Sequence, residues 1–415
     1  MPAQFPRLYF FLSLISDIIN FKNECLCVLR DQAARQQEVH GVKKKVIVAG
    51  HICVDITPVF PDKKVSRLDQ ILTPGKLLNV NEADVHTGGT VANTGLGMHI
   101  LGADVSLMGK VGNDSFGEII RTILEKYGAK TRLLVSDTDS TSYSVILAVP
   151  GIDRIFLHNC GSNDTFCADD IPAEELKEAA LFHFGYPPLM RSMYENDGEE
   201  LIRVMKLAQD CGAATSLDFA SIDPDSPAGA VNWRKVLESV MPYVDFFVPS
   251  VEELCYMLDK DLFFAWKERA QGADITEILD IEKDVKPLAQ QCMDMGAKVV
   301  LIKCGAPGMF YCTANRATLE KISSRIELDC EKWADQEGFE KSYVPDKILS
   351  GTGAGDTSIA AFLTAMLDGY SPEDTMHLAA ATGASCVAAY DALSGLKTFA
   401  ELEEKIRSGW KKNEF

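Results

Sequence analysis

The sequence predicts an α/β protein: a doubly wound, mostly parallel sheet with helices on both faces (α/β class), joined by a small β-sheet lid. Three observations predict it. From Lys45 onward, short apolar runs alternate with stretches of helical periodicity. The runs are apolar at consecutive positions, as strands buried on both faces are. Two further segments, about 55–85 and 140–160, have strand-like patterns with no helix between them, so they fall outside the alternation. Strand–helix alternation calls for parallel pairing, because a parallel crossover needs a connection long enough to hold a helix.

The buried strands are expected, in order, at residues 46–49, 105–108, 181–184, 215–217, 246–248 and 299–302. Amphipathic helices are expected at 116–127, 198–211, 285–295 and 357–367. The second layer is read at 55–85, at 142–148 and at 154–158, the last two joined by the turn Pro150-Gly151-Ile152-Asp153. Residues 259–284 and 313–346 are charged and read as surface insertions, with some helix near 275–281. Asp368-Gly369 closes one helix, and Ser371-Pro372-Glu373-Asp374 opens the next with a capping pattern and an early proline. Residues 1–44 lack the alternation and read as an N-terminal extension outside the fold, leaving 45–415 as a single domain. In a sheet of this kind ligands bind at the carboxyl ends of the strands.

A chain of 415 residues with 47% hydrophobic content can bury a full core. Its net charge of −19 argues against nucleic acid or an anionic membrane as partner, while leaving room for a nucleotide held by local N–H groups and a cation. The apolar run at 9–15 is too short to span a bilayer. Twelve cysteines are scattered without metal spacing and read as reduced thiols, which points to a cytoplasmic protein.

The most informative stretch is Gly353-Ala354-Gly355-Asp356, opening an apolar helix. Small residues at 353–355 let backbone N–H groups approach a phosphate, and the helix dipole favours the same anion. Asp356, in the first turn, is placed to take a proton from an attacking hydroxyl. Read alone, the tetrapeptide fits equally a glycine-rich turn whose Asp stabilises a helix start. A second glycine-rich stretch runs Gly88-Gly89-Thr90-Val91-Ala92-Asn93-Thr94-Gly95. Its spacing is not that of a dinucleotide fingerprint, which excludes a nicotinamide-dependent dehydrogenase. Paired glycines ahead of a helix bearing Asn93 suit close approach to a polyol.

Together, in this order and at opposite ends of the chain, the two stretches resemble the signature regions of the ribokinase-like (phosphofructokinase B-type) carbohydrate kinase family. The resemblance covers about Lys45 to Trp410. It implies ATP and Mg²⁺ as cofactors, and transfer of the γ-phosphoryl group to a hydroxymethyl group of a sugar or sugar acid beneath the lid. On that basis Asp356 is the catalytic base, and the N–H groups of Gly353, Ala354 and Gly355 form the anion hole. Asp55, Gly88, Gly89 and Asn93 contact the sugar. Glu253 and Asp218 are the candidate metal ligands. Thr352, Lys303, Gly305, Gly308 and Gly383 lie on the nucleotide side. Arg154, on the lid, meets a sugar carboxylate or the transferring phosphate, or else is a lid or dimer contact.

Two features depart from the family pattern. Ser250 replaces the asparagine of the Asn-x-x-Glu segment that ends in Glu253, so Glu253 is either a Mg²⁺ ligand or a helix-start acid. Ser350-Gly351-Thr352 lacks the Asp-Thr associated with a monovalent cation in part of the family, which leaves dependence on K⁺ open. The alternatives to a sugar kinase are a nucleoside kinase of the same fold and a catalytically silent sugar-binding regulator. Pairing through the exposed lid face would give a homodimer.

Overall fold

The computed structural model describes residues 43–152 and 154–414. The extension expected at 1–44 therefore lies, except for Lys43 and Lys44, outside the described residues. The strands in chain order are β1 (Lys45–Gly50), β2 (Cys53–Pro58), β3 (Ala83–Gly88), β4 (Asp104–Gly112), β5 (Lys130–Ser136), β6 (Tyr143–Leu147), β7 (Ile155–Asn159), β8 (Leu181–Gly185), β9 (Ala214–Asp218), β10 (Phe246–Phe247), β11 (Val299–Lys303), β12 (Gly308–Thr313) and β13 (Glu337–Lys341).

Nine of them form one sheet in the order β13-β12-β11-β10-β9-β8-β1-β4-β5. From β11 to β5 all neighbours are parallel, and β12 and β13 join antiparallel. Alternate residues of each strand feed opposite cores. Ile47, Phe182, Phe184, Leu217 and Val300 point into one, and Val46, Val48, Leu181, Phe246 and Leu301 into the other. This two-sided burial is why the runs are apolar at every position.

Expectation and structure differ at the edges. The segment 313–346, read as an insertion, contains β13, and β12 follows directly on the Gly305 turn. β13 and β5 are edge strands of largely charged or exposed sequence, Glu-Gly-Phe-Glu-Lys and Lys-Thr-Arg-Leu-Leu-Val-Ser, so neither shows an apolar run. In the stretch 259–284 the main helix is Lys260–Ala270, capped by the Asp259 side chain. Residues 275–285 form only short helical turns.

The second sheet has the order β3-β2-β6-β7. Only two residues separate β1 from β2, which fixes this sheet over the carboxyl end of the large one. Register places His86 opposite Asp55, Asp55 opposite Ser144, and Ser144 opposite His158. Directly opposed residues share a face, so these four make a polar row across the whole small sheet.

Candidate active site

The helix Ala354–Leu367 is buried all round from Asp356 to Leu367, the pattern of an interior helix. It packs between the helices Thr90–Ile100 and Pro372–Cys386. Small residues allow the close approach: a Cβ at Gly97 would lie 3.0 Å from that of Ala360, and one at Gly383 would lie 2.4 Å from Ser358 Oγ. Packing thus carries Asn93 and Thr94, distant in sequence, onto the start of this helix.

Gly353 caps the helix with φ 75°, in the left-handed region that favours glycine. The first N–H groups after it have no acceptor within the helix, as at any helix start. Asp356 stands in that first turn, 5% exposed. Its Oδ2 accepts from Asn93 Nδ2 at 2.9 Å, and its Oδ1 from Thr94 Oγ1 at 3.4 Å. The Tyr186 hydroxyl reaches both oxygens, at 2.7 and 2.8 Å. Tyr186 directly follows β8 and has φ 67°. Pro187 after it disfavours the right-handed helical region for residue 186.

The small sheet closes the site from the other side. His51, which follows β1, has Nε2 3.3 Å from Nε2 of His158, whose Nδ1 lies 3.0 Å from Ser144 Oγ. One ring must donate and the other accept, so at least one is neutral. Burial pushes His51 well below the ordinary histidine value, with His158 adding to it. Burial also lowers His158, with Asp164 opposing. Next along the row, Asp55 accepts from the Cys53 thiol at 3.3 Å. Burial raises its carboxyl above the usual range, against the hydrogen bonds of Cys53 and Ser144. A Cβ at Gly88 would lie 2.1 Å from Asp55 Oδ2, so the carboxylate occupies the space a side chain would take. One residue ahead of β7, Arg154 donates to the Thr352 hydroxyl, and its guanidinium lies 5.8 Å from the centre of the Phe156 ring.

A charged cluster sits where β9 and β11 end. Lys303 Nζ lies 2.7 Å from Asp218 Oδ1. A Cβ at Gly355 would be 3.4 Å from Lys303 Cδ, so the lysine runs beside the 353–355 turn. Burial alone would lower Lys303, but Asp218, Glu253 and Asp356 outweigh it and hold the amine above its usual value. Burial pushes the Asp218 carboxyl up against the pull of Lys303, with Glu253 and Asp356 adding to the rise. Asp218 Oδ2 is buried with no hydrogen-bond partner among the described residues. Glu253 accepts from the Ser250 N–H at 2.8 Å and closes a capping box on the helix Val251–Leu258. Three carboxylates thus converge on one lysine, and the site is short of positive charge. No group of three or more His, Cys, Asp or Glu side chains among the described residues can cage a metal. Asp218 and Glu253 are the carboxylates here that could hold Mg²⁺, which binds through one or two carboxylates and completes its shell with water and phosphate oxygens.

Residues 43–398 match the model of the pfkB family carbohydrate kinases. The chain belongs to the pfkB family. A 5-dehydro-2-deoxygluconokinase of Clostridium beijerinckii is 22% identical over 375 residues, which cover 88% of this chain and 93% of that protein. Among solved structures, a fructokinase with bound ATP from Xylella fastidiosa aligns with a TM-score of 0.65 and 19% identity, covering 88% of this chain and 99% of that one. Arabidopsis thaliana ribokinase complexed with ribose and ATP aligns with a TM-score of 0.63 and 18% identity, covering 88% and 98%. These likenesses show the ribokinase fold: a large, mostly parallel sheet with helices, plus a smaller separate sheet.

Within this pfkB-family fold, Asp356, Asn93, Gly353, Ala354 and Gly355 meet at one helix start, with Lys303 and Asp218 beside them. Asp55 and Gly88 lie on the small sheet, and a Cβ at Gly89 would lie 2.5 Å from His51 Nδ1. Gly305, Gly308 and Gly383 have packing reasons of their own. A Cβ at Gly305 would lie 2.7 Å from Thr276 Oγ1, and one at Gly308 would lie 2.1 Å from the Glu340 carbonyl oxygen. His183 is satisfied within the core by Thr90 and Ser216. Sequence reasoning places Tyr186-Pro187-Pro188 at the pocket rim and His158 on the lid, but misses the contacts they make with Asp356, His51 and Ser144. The available signals were a Tyr-Pro-Pro turn after a buried strand and a histidine directly after the first strand.

Proposed function

We propose that this pfkB-family sugar kinase transfers the γ-phosphoryl group of ATP to a hydroxymethyl group of a sugar or sugar acid, with Asp356 as base. The observation that carries this reading is the position of Asp356. It is a buried, multiply hydrogen-bonded carboxylate in the first turn of a helix whose opening N–H groups, at 353–355, offer an anion site. Phosphoryl transfer needs alignment and charge neutralisation more than a strong base. Asp55, Asn93 and the Gly88-Gly89 backbone hold the sugar hydroxyls and aim one at the γ-phosphorus, while Asp356 receives its proton. The 353–355 N–H groups and Lys303 absorb charge on the transferring group. Asp218 and Glu253 would hold Mg²⁺ through water, and the ion would supply positive charge against the phosphates. Thr352, Gly305, Gly308 and Gly383 lie toward the nucleotide.

Arg154 is the cation the small sheet brings to the loop ahead of the anion site, so it meets a substrate carboxylate or the transferring phosphate. The name of the Clostridium relative adds weight to a sugar acid. The described cysteines are free thiols, which fits a cytoplasmic protein. No described helix is long and apolar enough to cross a membrane. Phe156, Leu157 and Val85 leave exposed apolar surface on the small sheet, which fits lid-to-lid pairing as a homodimer.

The test is ADP release with Mg·ATP across ketoses, aldoses, sugar acids and nucleosides, run beside Asp356→Asn. Turnover with one sugar class, lost by orders of magnitude in the variant, is the expected result. Nucleoside turnover alone would move the assignment to a nucleoside kinase. Sugar binding without turnover would leave a silent regulator.

A further inference from the structure

The Asp356 carboxylate is unusually well covered. A carboxylate offers about four lone-pair directions. Asn93 takes one on Oδ2, Thr94 one on Oδ1, and the Tyr186 hydroxyl lies within hydrogen-bond distance of both oxygens. Little acceptor capacity remains for an incoming O–H. Asn93 and Thr94 sit on a buried helix and are 6% and 0% exposed. Tyr186 is half-buried and stands in a turn, on a left-handed backbone held by Pro187. It is the donor that can give way.

We propose that Tyr186 is a positioning residue that guards the base, its hydroxyl occupying the place on Asp356 that the sugar hydroxyl takes during phosphoryl transfer. This rests on the reading of Asp356 as the base. Without sugar, the phenol keeps a water molecule from donating to Asp356. That blocks the side reaction in which water oxygen bonds to the γ-phosphorus, the bond to the ADP oxygen breaks and a water proton passes to Asp356. A sugar displaces the phenol because its other hydroxyls are held at the same time by Asp55 and Asn93. A lone water has no such second anchor. Burial, with Asp356 and Asp218 adding, pushes the Tyr186 phenol well above its usual value, so it remains a donor at neutral pH. A left-handed tyrosine is a strained conformation that persists where the surroundings demand it.

The experiment measures ADP release from Mg·ATP with and without the sugar found in the panel, for the native protein, Tyr186→Phe, Asp356→Asn and the double variant. The phenylalanine keeps the ring and removes only the hydroxyl. The expected result is a rise of about tenfold or more, in Tyr186→Phe, in the ratio of sugar-independent to sugar-dependent turnover, the scale of one lost hydrogen bond to a charged group. The added hydrolysis should vanish in the double variant. A structural role would lower both rates together and leave the ratio unchanged, and that outcome overturns the proposal. Hydrolysis that survives in the double variant overturns it too. Full sugar turnover by Asp356→Asn alone would instead bring down the assignment of the base. Sugar binding, followed by the melting temperature, shows whether Tyr186→Phe is folded. An unfolded variant is replaced by Tyr186→Leu, judged by the same ratio.

Discussion

Arg154, carried in by the small sheet, donates a hydrogen bond to the hydroxyl of Thr352, the residue before the glycine that caps the Asp356 helix. The small sheet and the anion-site loop are therefore joined by one charged side chain. A hydrogen bond to a charged group contributes about 1.5–3 kcal/mol. Arg154→Ala is expected to lower kcat/KM by about 10- to 100-fold, a cost of about 1.4–2.8 kcal/mol. Thr352→Val removes the same hydrogen bond but leaves the guanidinium. Equal losses in the two variants would mean that Arg154 only braces the loop. A larger loss for Arg154→Ala means that it also reaches substrate, and steady-state kinetics with a sugar acid and a neutral sugar separate the two.

Lys303 and Asp218 form the buried ion pair on which the acid cluster depends, with side chains 13% and 1% exposed. Removing one member of such a pair leaves an uncompensated buried charge and costs about 3–5 kcal/mol. Lys303→Met is expected to lower stability by that order, read from the urea midpoint. Adding Asp218→Asn should restore most of it, because the orphaned charge goes with it. Activity should stay low in both variants. A single variant as stable as the native protein would show that the pair carries little of the fold.

The sequence reading was strongest where local pattern and tertiary role coincide. The runs in β1, β4, β8, β9 and β11 are apolar at consecutive positions because alternate residues enter opposite cores. β5 and β13 were missed because an edge strand need not be apolar. At the site, Gly353 to Asp356 is contiguous and could be read directly. The His158–Ser144–Asp55 row could not, since it exists only through the register of β7, β6 and β2. Tyr186 meets Asp356 only because β8 ends beside the helix start, a relation between residues 170 positions apart.

Three histidines held below their ordinary value, two of them buried, predict acid sensitivity. Burial pushes His183 down to about 3, with Lys303 adding to it, and His51 and His158 are lowered as well. Below the unfolded value of about 6.5, the unfolded chain binds protons that the folded state refuses. Their contribution is therefore complete above about pH 6.5 and is lost as pH falls below it. A difference measurement isolates the histidine part. His183→Gln can keep both hydrogen bonds, to Thr90 and Ser216, without titrating. Its melting temperature should fall less than that of the native protein between pH 7 and pH 5. Parallel curves would show that His183 does not titrate as its burial requires.

Gly353 tests whether the anion site needs its backbone as well as its residues. A methyl group there meets two obstacles. The left-handed conformation costs an L-residue about 1–2 kcal/mol, and a Cβ would sit 2.2 Å from that of Ala392. The loop can relieve both only by moving the N–H groups at 353–355 away from the place where the proposed transfer would hold the γ-phosphoryl group. Preorganised donors lose about 100-fold in kcat when one is removed, and Gly353→Ala is expected to lose at least that. Ala392→Gly added to it removes the collision but not the backbone strain. If the collision displaces the loop, the double variant recovers most of kcat while stability remains about 1–2 kcal/mol below the native protein. If kcat stays low in the double variant, the left-handed turn itself is what aims the N–H groups. Stopped-flow single-turnover rates, measured beside the urea midpoint, decide between the two.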